Sequence, residues 1–452
     1  MTTHLIQKYN VAGPRYTSYP TVPYWEENLN QMQWLQTVKQ GFNESHLCQG
    51  ISLYIHLPYC ESLCTYCGCN KHITKNHAVE RPHLNYIIKE WQMYLALFKQ
   101  KPVIKELHLG GGTPTFFSAE NLKYLIENIV QYAIIAPKAE LSFEAHPGNT
   151  SLNHLKVLNS LGFTRISLGV QDFNPLVQKA IHRIQSLEQT ESITQMARAN
   201  GYNSVNFDLI YGLPFQSIES MLDTIEKTIA IKPERIAFYS YAHIPWLKPS
   251  QRGYDENDLP SADLKRHLYE LGKEQLLMAG YNEIGMDHFA LKSDGLFQAM
   301  QQKKLHRNFM GYTASHTKLM IGLGVSSISD SWNAFAQNVK TVKEYETLLG
   351  ENKFPFLKGH LLSNEDLILR KHILNIMCHF ETNWQASENY CNHIPIAIEK
   401  LKEAENDGLI ELNKKGLKVT IQGIPFVRNI CMAFDAKLMR KAPQTNLFSS
   451  TV

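Results

Sequence analysis

Between Ile51 and Tyr241 short aliphatic runs alternate with longer stretches whose apolar positions recur every three to four residues, the two periods that separate strands from amphipathic helices. The runs 51–57, 104–109, 140–144, 165–170, 204–209 and 235–241 predict strands, because each is short and mostly β-branched or aliphatic. Leu84, Ile87, Ile88, Trp91, Leu95 and Phe98 form one helical face between the first two strands. Leu122, Leu125, Ile126 and Ile129 form the next, behind a Ser118 cap, and a helix carrying Leu152, Leu155 and Leu158 stops at Gly162. Strand–helix units joined by right-handed crossovers make a parallel sheet. The expected fold is therefore α/β, a partial, open (β/α)6 TIM-like barrel with its functional groups at the carboxyl ends of the strands.

The flanks read differently. Residues 1–48 form an amino-terminal segment with a polar, turn-prone core, Gly13-Pro-Arg-Tyr-Thr-Ser-Tyr-Pro-Thr21, and 49–335 form the catalytic domain with its barrel at 51–241. Pro245-Trp-Leu-Lys-Pro249 breaks the alternation and starts a connector. Ile321-Gly-Leu-Gly-Val-Ser-Ser-Ile328 predicts a glycine-rich strand close to a ligand. Gly285–Ala290 and Leu305–Thr313 mix polar and aromatic residues without a period, which suits a site, with His288 and His306 as candidates. Residues 336–452 form a mostly helical domain: helices over 366–380 and 394–406, a hairpin from Gly408–Leu412 and Leu417–Thr420, and a last helix through Arg428–Met432. That winged-helix-like order lacks a basic recognition helix, so a cap on the barrel is expected rather than a DNA reader.

Composition changes this picture little. The 452 residues are 44% hydrophobic and 19% charged, ordinary for a globular chain of two to three domains, and the net charge of +3 is too small and too spread to argue for nucleic acid. No apolar stretch approaches a membrane span, and the first residues lack the basic-then-apolar order of a leader, so a cytoplasmic protein is expected.

Chemistry concentrates at Cys60-Glu-Ser-Leu-Cys-Thr-Tyr-Cys-Gly-Cys-Asn-Lys71, where four of the eight cysteines fall. In a reducing compartment such thiols serve as soft metal ligands rather than disulfides. Zinc would want two separated pairs, whereas Cys60, Cys64 and Cys67 form one tight C-x3-C-x2-C triplet. Three thiolates on one loop suit a four-iron cluster, with the fourth iron left open for chemistry. A structural cluster and a zinc knot are the competing readings. Cys48, Cys378, Cys391 and Cys431 are scattered and read as ordinary thiols.

The triplet, placed after the strand Ile51–Leu57, resembles that of the radical S-adenosylmethionine enzymes. The extra Cys69 in C-x3-C-x2-C-x-C, followed by Asn70-Lys71, and the preceding S-L-Y-I-H-L-P-Y-C are similar to the oxygen-independent coproporphyrinogen III oxidases, and the resemblance spans essentially the whole chain. It implies that Cys60, Cys64 and Cys67 hold a 4Fe-4S cluster and that S-adenosylmethionine, in two copies, is the second cofactor. It further implies that Tyr66 lies against the adenine and that Gly111, Gly112 and Thr113, in Gly110-Gly-Gly-Thr-Pro-Thr115, take the amino group and backbone of the cofactor. Glu144, Gln171, Arg183 and Asp208 stand at matching positions around it, joined by Tyr54, Ala242 and Ile328. Cys69, Tyr54 and Glu144 are the implied catalytic residues; the resemblance also implies that the amino-terminal segment 1–48 packs back over the active site, and Arg15 in it is a candidate for a substrate carboxylate.

Two departures qualify the match. Glu144-Ala-His-Pro-Gly has His146 and Gly148 where some members carry Asp and Arg, and Met310 replaces a Gln in N-F-Q-G-Y, which removes a polar group near the substrate. The expected function is anaerobic decarboxylation of coproporphyrinogen III to protoporphyrinogen IX, in a monomer served by a low-potential electron donor such as flavodoxin or ferredoxin. A haem chaperone of the same superfamily and a radical methyltransferase are the alternatives. Cys69 and the amino-terminal segment argue against the chaperone. The tetra-anionic substrate calls for cations and aromatics, which Arg15, Tyr16, Tyr19, His288, Arg307 and Phe309 offer.

Overall fold

A computed structural model of the chain describes residues 3–45, 48–441, 448, 449 and 451. The six predicted strands all form: β1 (Ile51–Leu57), β2 (Val103–Gly111), β3 (Ile134–Ala145), β4 (Arg165–Gln171), β5 (Ser204–Tyr211) and β6 (Arg235–Ser240). They lie side by side in that order, all parallel. Helices α1 (Glu80–Leu95), α2 (Ala119–Val130), α3 (Leu152–Ser160), α4 (Leu187–Ala199), α5 (Ile218–Ile231) and α6 (Ala262–Met278) follow the successive strands.

The sheet does not stop at six. β7 (Asn282–Gly285) and β8 (His288–Ala290) extend it antiparallel beyond β6, while β9 (Met320–Leu323) pairs parallel with β1 and leads to antiparallel β10 (Ile328–Asp330), β11 (Ala334–Asn338) and β12 (Phe356–Leu361). The stretch 321–328, expected as one strand, is thus a strand, a tight reversal and the start of its neighbour. Gly324 at φ +97° makes the reversal, the Ser327 hydroxyl donates to Gly324 O at 2.8 Å, and Gly322 N–H donates to Ser329 Oγ at 2.9 Å. A β carbon on Gly322 would lie 2.4 Å from Ile328 O, so only glycine lets the two strands fold together here.

Alternation along each strand separates two environments. Leu53, Leu107, Phe143, Leu168, Phe207 and Phe238 are fully buried against the helices, each worth roughly 1.5–3 kcal/mol of burial. The other face carries polar side chains. Five serines, Ser118, Ser151, Ser186, Ser217 and Ser261, cap the helices that enter this layer, each accepting a backbone N–H three residues on. They fix where each loop over the strand ends must stop.

Helices Asn364–His379 and Ile394–Asn406 and a three-stranded sheet of Glu381–Asn383, Gly416–Val419 and Ile410–Leu412 follow. Their core takes in Leu5, Tyr16 and Tyr19 from the other end of the chain. Tyr16 OH donates to Asp435 Oδ2 at 3.1 Å, Ala436 N–H donates to Tyr19 OH at 3.1 Å, and Arg428 donates to the carbonyls of Gly13 and Pro14. Among the described residues no helix is long and apolar enough to cross a membrane.

Candidate active site

A cavity of about 330 Å³ opens over the polar face of the sheet at the carboxyl ends of β1–β6. Cys60, Cys64, Cys67 and Cys69 all line it, with Tyr66, Gly111, Gly112, Thr113, Glu144, Gln171, Arg183 and Asp208. Tyr54, Ala242 and Ile328 do not. Tyr54 stands one layer behind, stacked on His108 with ring centroids 6.0 Å apart. Ala242 O accepts from Gln251 Nε2, the amide that also donates to Tyr66 O, both at 3.2 Å, so it supports the cysteine loop from outside. Ile328 begins β10 behind Gly322.

The cysteine loop is held at both ends and in the middle. Tyr59–Cys60 pairs in parallel with His72–Ile73 and closes the base, while Thr65 bonds Ala180 O and Ile181 O at 3.1 Å each. Lys248 Nζ donates to Gly68 O at 2.7 Å. Thr113 Oγ1 donates to Cys60 Sγ at 3.3 Å and Arg183 Nη1 reaches Cys64 Sγ at 3.6 Å. Gly112 passes so close to the chain after β1 that its β carbon would lie 2.7 Å from Pro58 O. That crossing is what brings the glycine loop against the cysteines.

A row of charges runs across the strand ends. Glu144 Oε2 accepts from Gly111 N–H at 3.2 Å, and Oε1 lies 3.5 Å from His108 Nε2. Burial would raise its carboxyl, but His108 and the Gly111 amide outweigh that and hold it below the usual range. Asp208 behaves oppositely. Burial and the charge of Glu144 push it up to about 6, although Ser167 Oγ at 3.1 Å and Asn206 Nδ2 at 2.9 Å both donate to it. Two carboxyls of one wall are thereby set to different protonation ranges.

His108, Arg165, Ser167, Asn206, Arg235 and Tyr239 also line the cavity and were not anticipated. Their signal was present: each occupies an alternate position in a strand read only for its aliphatic residues. Of the six groups offered for substrate carboxylates, His288 alone lines this cavity. Arg15 is ion-paired with Asp287, Tyr16 and Tyr19 are buried, and Arg307 faces a small recess beside them. Phe309 packs edge-on to Trp25 and Phe335.

The chain matches the family model described as the Radical SAM superfamily over residues 54–228. It is 37% identical over 441 residues to an oxygen-independent coproporphyrinogen III oxidase of Pseudomonas aeruginosa, covering 96% of this chain and 95% of that protein. The protein of the same name from Escherichia coli is 37% identical over 443 residues, with 97% and 96% covered. A solved structure of coproporphyrinogen III oxidase (HemN) from Escherichia coli, described as a radical SAM enzyme, superposes with a TM-score of 0.90 at 34% identity over 97% of this chain and 99% of that one. The chain belongs to the oxygen-independent coproporphyrinogen III oxidases.

Membership of the oxygen-independent coproporphyrinogen III oxidases, and through them of the radical SAM superfamily, implies a 4Fe-4S cluster and S-adenosylmethionine. The residues fit. Among the described residues no group of three or more His, Cys, Asp or Glu is placed to hold a single metal ion, yet all four cysteines of the loop face one cavity. A multi-iron cluster takes each thiolate on a different iron, so thiols on one loop facing one cavity suit it. Similarity of this extent to oxidases favours neither a haem chaperone nor a methyltransferase. The two departures from the oxygen-independent coproporphyrinogen III oxidase pattern both reach the cavity wall. His146 is a neutral imidazole there, pushed down to about 3 by burial and Arg183, and it accepts from Gly148 N–H at 3.0 Å. Met310 adds an apolar thioether to the same wall.

Proposed function

We propose that the protein removes two propionate carboxyl groups from coproporphyrinogen III without dioxygen, leaving the vinyl groups of protoporphyrinogen IX. The supporting observation is that the Cys60–Cys67 loop and the Glu144–Asp208 wall share one cavity in a chain related end to end to oxidases of that name. Cys60, Cys64 and Cys67 would hold the cluster, and a low-potential carrier such as flavodoxin or ferredoxin would reduce it. Bound there, the cluster and S-adenosylmethionine supply a 5′-deoxyadenosyl radical, able to take a hydrogen atom from a propionate β carbon. Each propionate then gives up carbon dioxide and one electron, the electron passing to an acceptor.

The chain's own residues bind and orient. Gly111, Gly112 and Thr113 bring backbone to the cavity wall at the strand end, where a cofactor can lie against it. Glu144, held ionised, accepts hydrogen bonds from ammonium or hydroxyl donors, and Tyr54 acts through His108 to position it. Gln171, Arg183 and Asp208 continue the polar wall far enough that we place two S-adenosylmethionine molecules along it. Tyr66 contributes an aromatic surface for adenine, with Ala242 and Ile328 supporting the walls, and Cys69 presents a thiol to the reacting groups. We place the protein in the cytoplasm as a monomer, which gel filtration with light scattering tests.

Anaerobic, cluster-loaded protein with reductant, S-adenosylmethionine and coproporphyrinogen III should yield a product lighter by two carboxyl losses, with 5′-deoxyadenosine and methionine formed alongside. Cofactor cleavage with no loss of substrate mass, together with stoichiometric haem binding, would overturn this reading.

A further inference from the structure

The cavity reaches down to the amino-terminal ends of the strands, far from the cysteine loop. Arg165 and Arg235 are the first residues of β4 and β6, and His288 sits in register with Ala237, two residues above Arg235. All three line the cavity. Glu140 is ion-paired with Arg165 and lies 3.5 Å from Arg235 Nη2, while Arg235 Nε donates to Asp294 Oδ1 at 2.6 Å. These pairs do not exhaust the donors. Arg165 Nε, Arg235 Nη1 and His288 Nδ1 are buried and have no hydrogen-bond partner within the protein, and Arg235 is only 5% exposed.

A buried guanidinium, a half-buried one and an imidazole, each with an unspent nitrogen, form a floor that suits an anion with more than one acceptor oxygen. Glu140 and Asp294 already balance the two arginines, and Glu106 also acts on Arg165, so the floor offers directed N–H groups rather than net positive charge and takes one carboxylate at most. Ala237, Tyr239, Leu296 and Tyr312 line the same cavity and give the space above the floor apolar walls. We propose that this floor is a binding site for a carboxylate carried on a short alkyl arm. The inference rests on the proposed function for its ligands. A propionate of the tetrapyrrole and the methionyl carboxylate of the cofactor share that chemistry, but the latter brings an ammonium group next to two arginines.

The test is equilibrium binding to cluster-loaded, full-length protein without turnover. Coproporphyrin III is compared with its tetramethyl ester, and S-adenosylmethionine with its decarboxylated form. Arg235→Lys keeps the charge but loses the fork. His288→Phe breaks no ion pair and keeps the ring contacts to Tyr239 and Tyr312, 5.6 and 5.3 Å between centroids, so it guards against a folding defect. Both variants should weaken coproporphyrin III about tenfold and leave its ester unchanged, as the loss of a charge-assisted bond requires. A loss confined to S-adenosylmethionine, absent for the decarboxylated form, keeps the site and assigns it to the cofactor. Equal changes for acid and ester, or no change for any ligand, overturn it. Failure of the functional reading would appear separately, as the absence of vinyl product with these affinities intact.

Discussion

Gly169 lies directly beneath the guanidinium of Arg183: Nη2 donates to Gly169 O at 2.6 Å, and a β carbon on the glycine would stand 2.7 Å from that same nitrogen. The glycine is there to let an arginine cross the strand on its way to Cys64. Gly169→Ala should leave the fold intact, since the atoms in its way, Arg183 Nη2 and Gln171 Nε2, end flexible side chains. It should displace both from the cavity and weaken S-adenosylmethionine binding tenfold or more, measured by equilibrium dialysis beside a circular dichroism melt. Unchanged affinity would remove Arg183 and Gln171 from the cofactor site.

Serine at Cys60, Cys64 or Cys67 should abolish iron incorporation and the visible absorption of the reconstituted protein. Serine at Cys69 should keep both and lose product formation. Loss of iron in Cys69→Ser equal to that in Cys64→Ser would mean that the cluster takes four ligands from the loop.

Glu144→Ala and Asp208→Ala should retain iron and bind S-adenosylmethionine more weakly, each losing charge-assisted hydrogen bonds of roughly 1.5–3 kcal/mol. Calorimetric titration of the anaerobic protein measures this. Wild-type affinity in both would return the pair to a structural rim.

Glu90 offers a pH test away from the site. It is fully buried and accepts from Tyr345 OH at 2.6 Å, Asn338 Nδ2 at 2.7 Å and Gly324 N–H at 2.9 Å. Burial nevertheless wins over these bonds and pushes its carboxyl up to about 7 from 4.5. Its folded form therefore holds a proton that the unfolded chain has released, so Glu90 lowers stability as pH rises from 4.5 to 7. The slope approaches about 1.4 kcal/mol per pH unit. Denaturant melts of Glu90→Gln across this window should lose that slope, and identical slopes in variant and wild type would refute the assignment.

Much of this was legible because local rules and tertiary demands agree over the barrel. A run such as Ile51–Leu57 is a strand in any context that buries it, and the Ser118 cap marks where a strand-end loop stops. The cysteine triplet was readable because spacing on one loop is a sequence property. The floor was not. Arg165 and Arg235 are 70 positions apart, and only the registers Ser142–Arg165–Ser204 and Asn206–Arg235 bring both to Glu140. The pairing of Arg15 with Asp287, 272 positions away, was hidden for the same reason. The hairpin at 321–328 escaped notice because glycines that open a strand to a ligand and glycines that reverse it look alike until Ile328 is seen against Gly322.

The union of Pro14 with Arg428 spans 414 positions, and Thr451 N–H closes on Val11 O at 2.8 Å beside it. On a ribosome, the strands β1–β6 are all made once Ser240 has emerged, whereas the partners of Tyr16 and Tyr19 at Asp435 and Ala436 follow roughly 10–40 s later at ordinary elongation rates. During that interval Pro14, Tyr16 and Tyr19 wait without these partners. The stretch made first is thus among the last to be fixed in place.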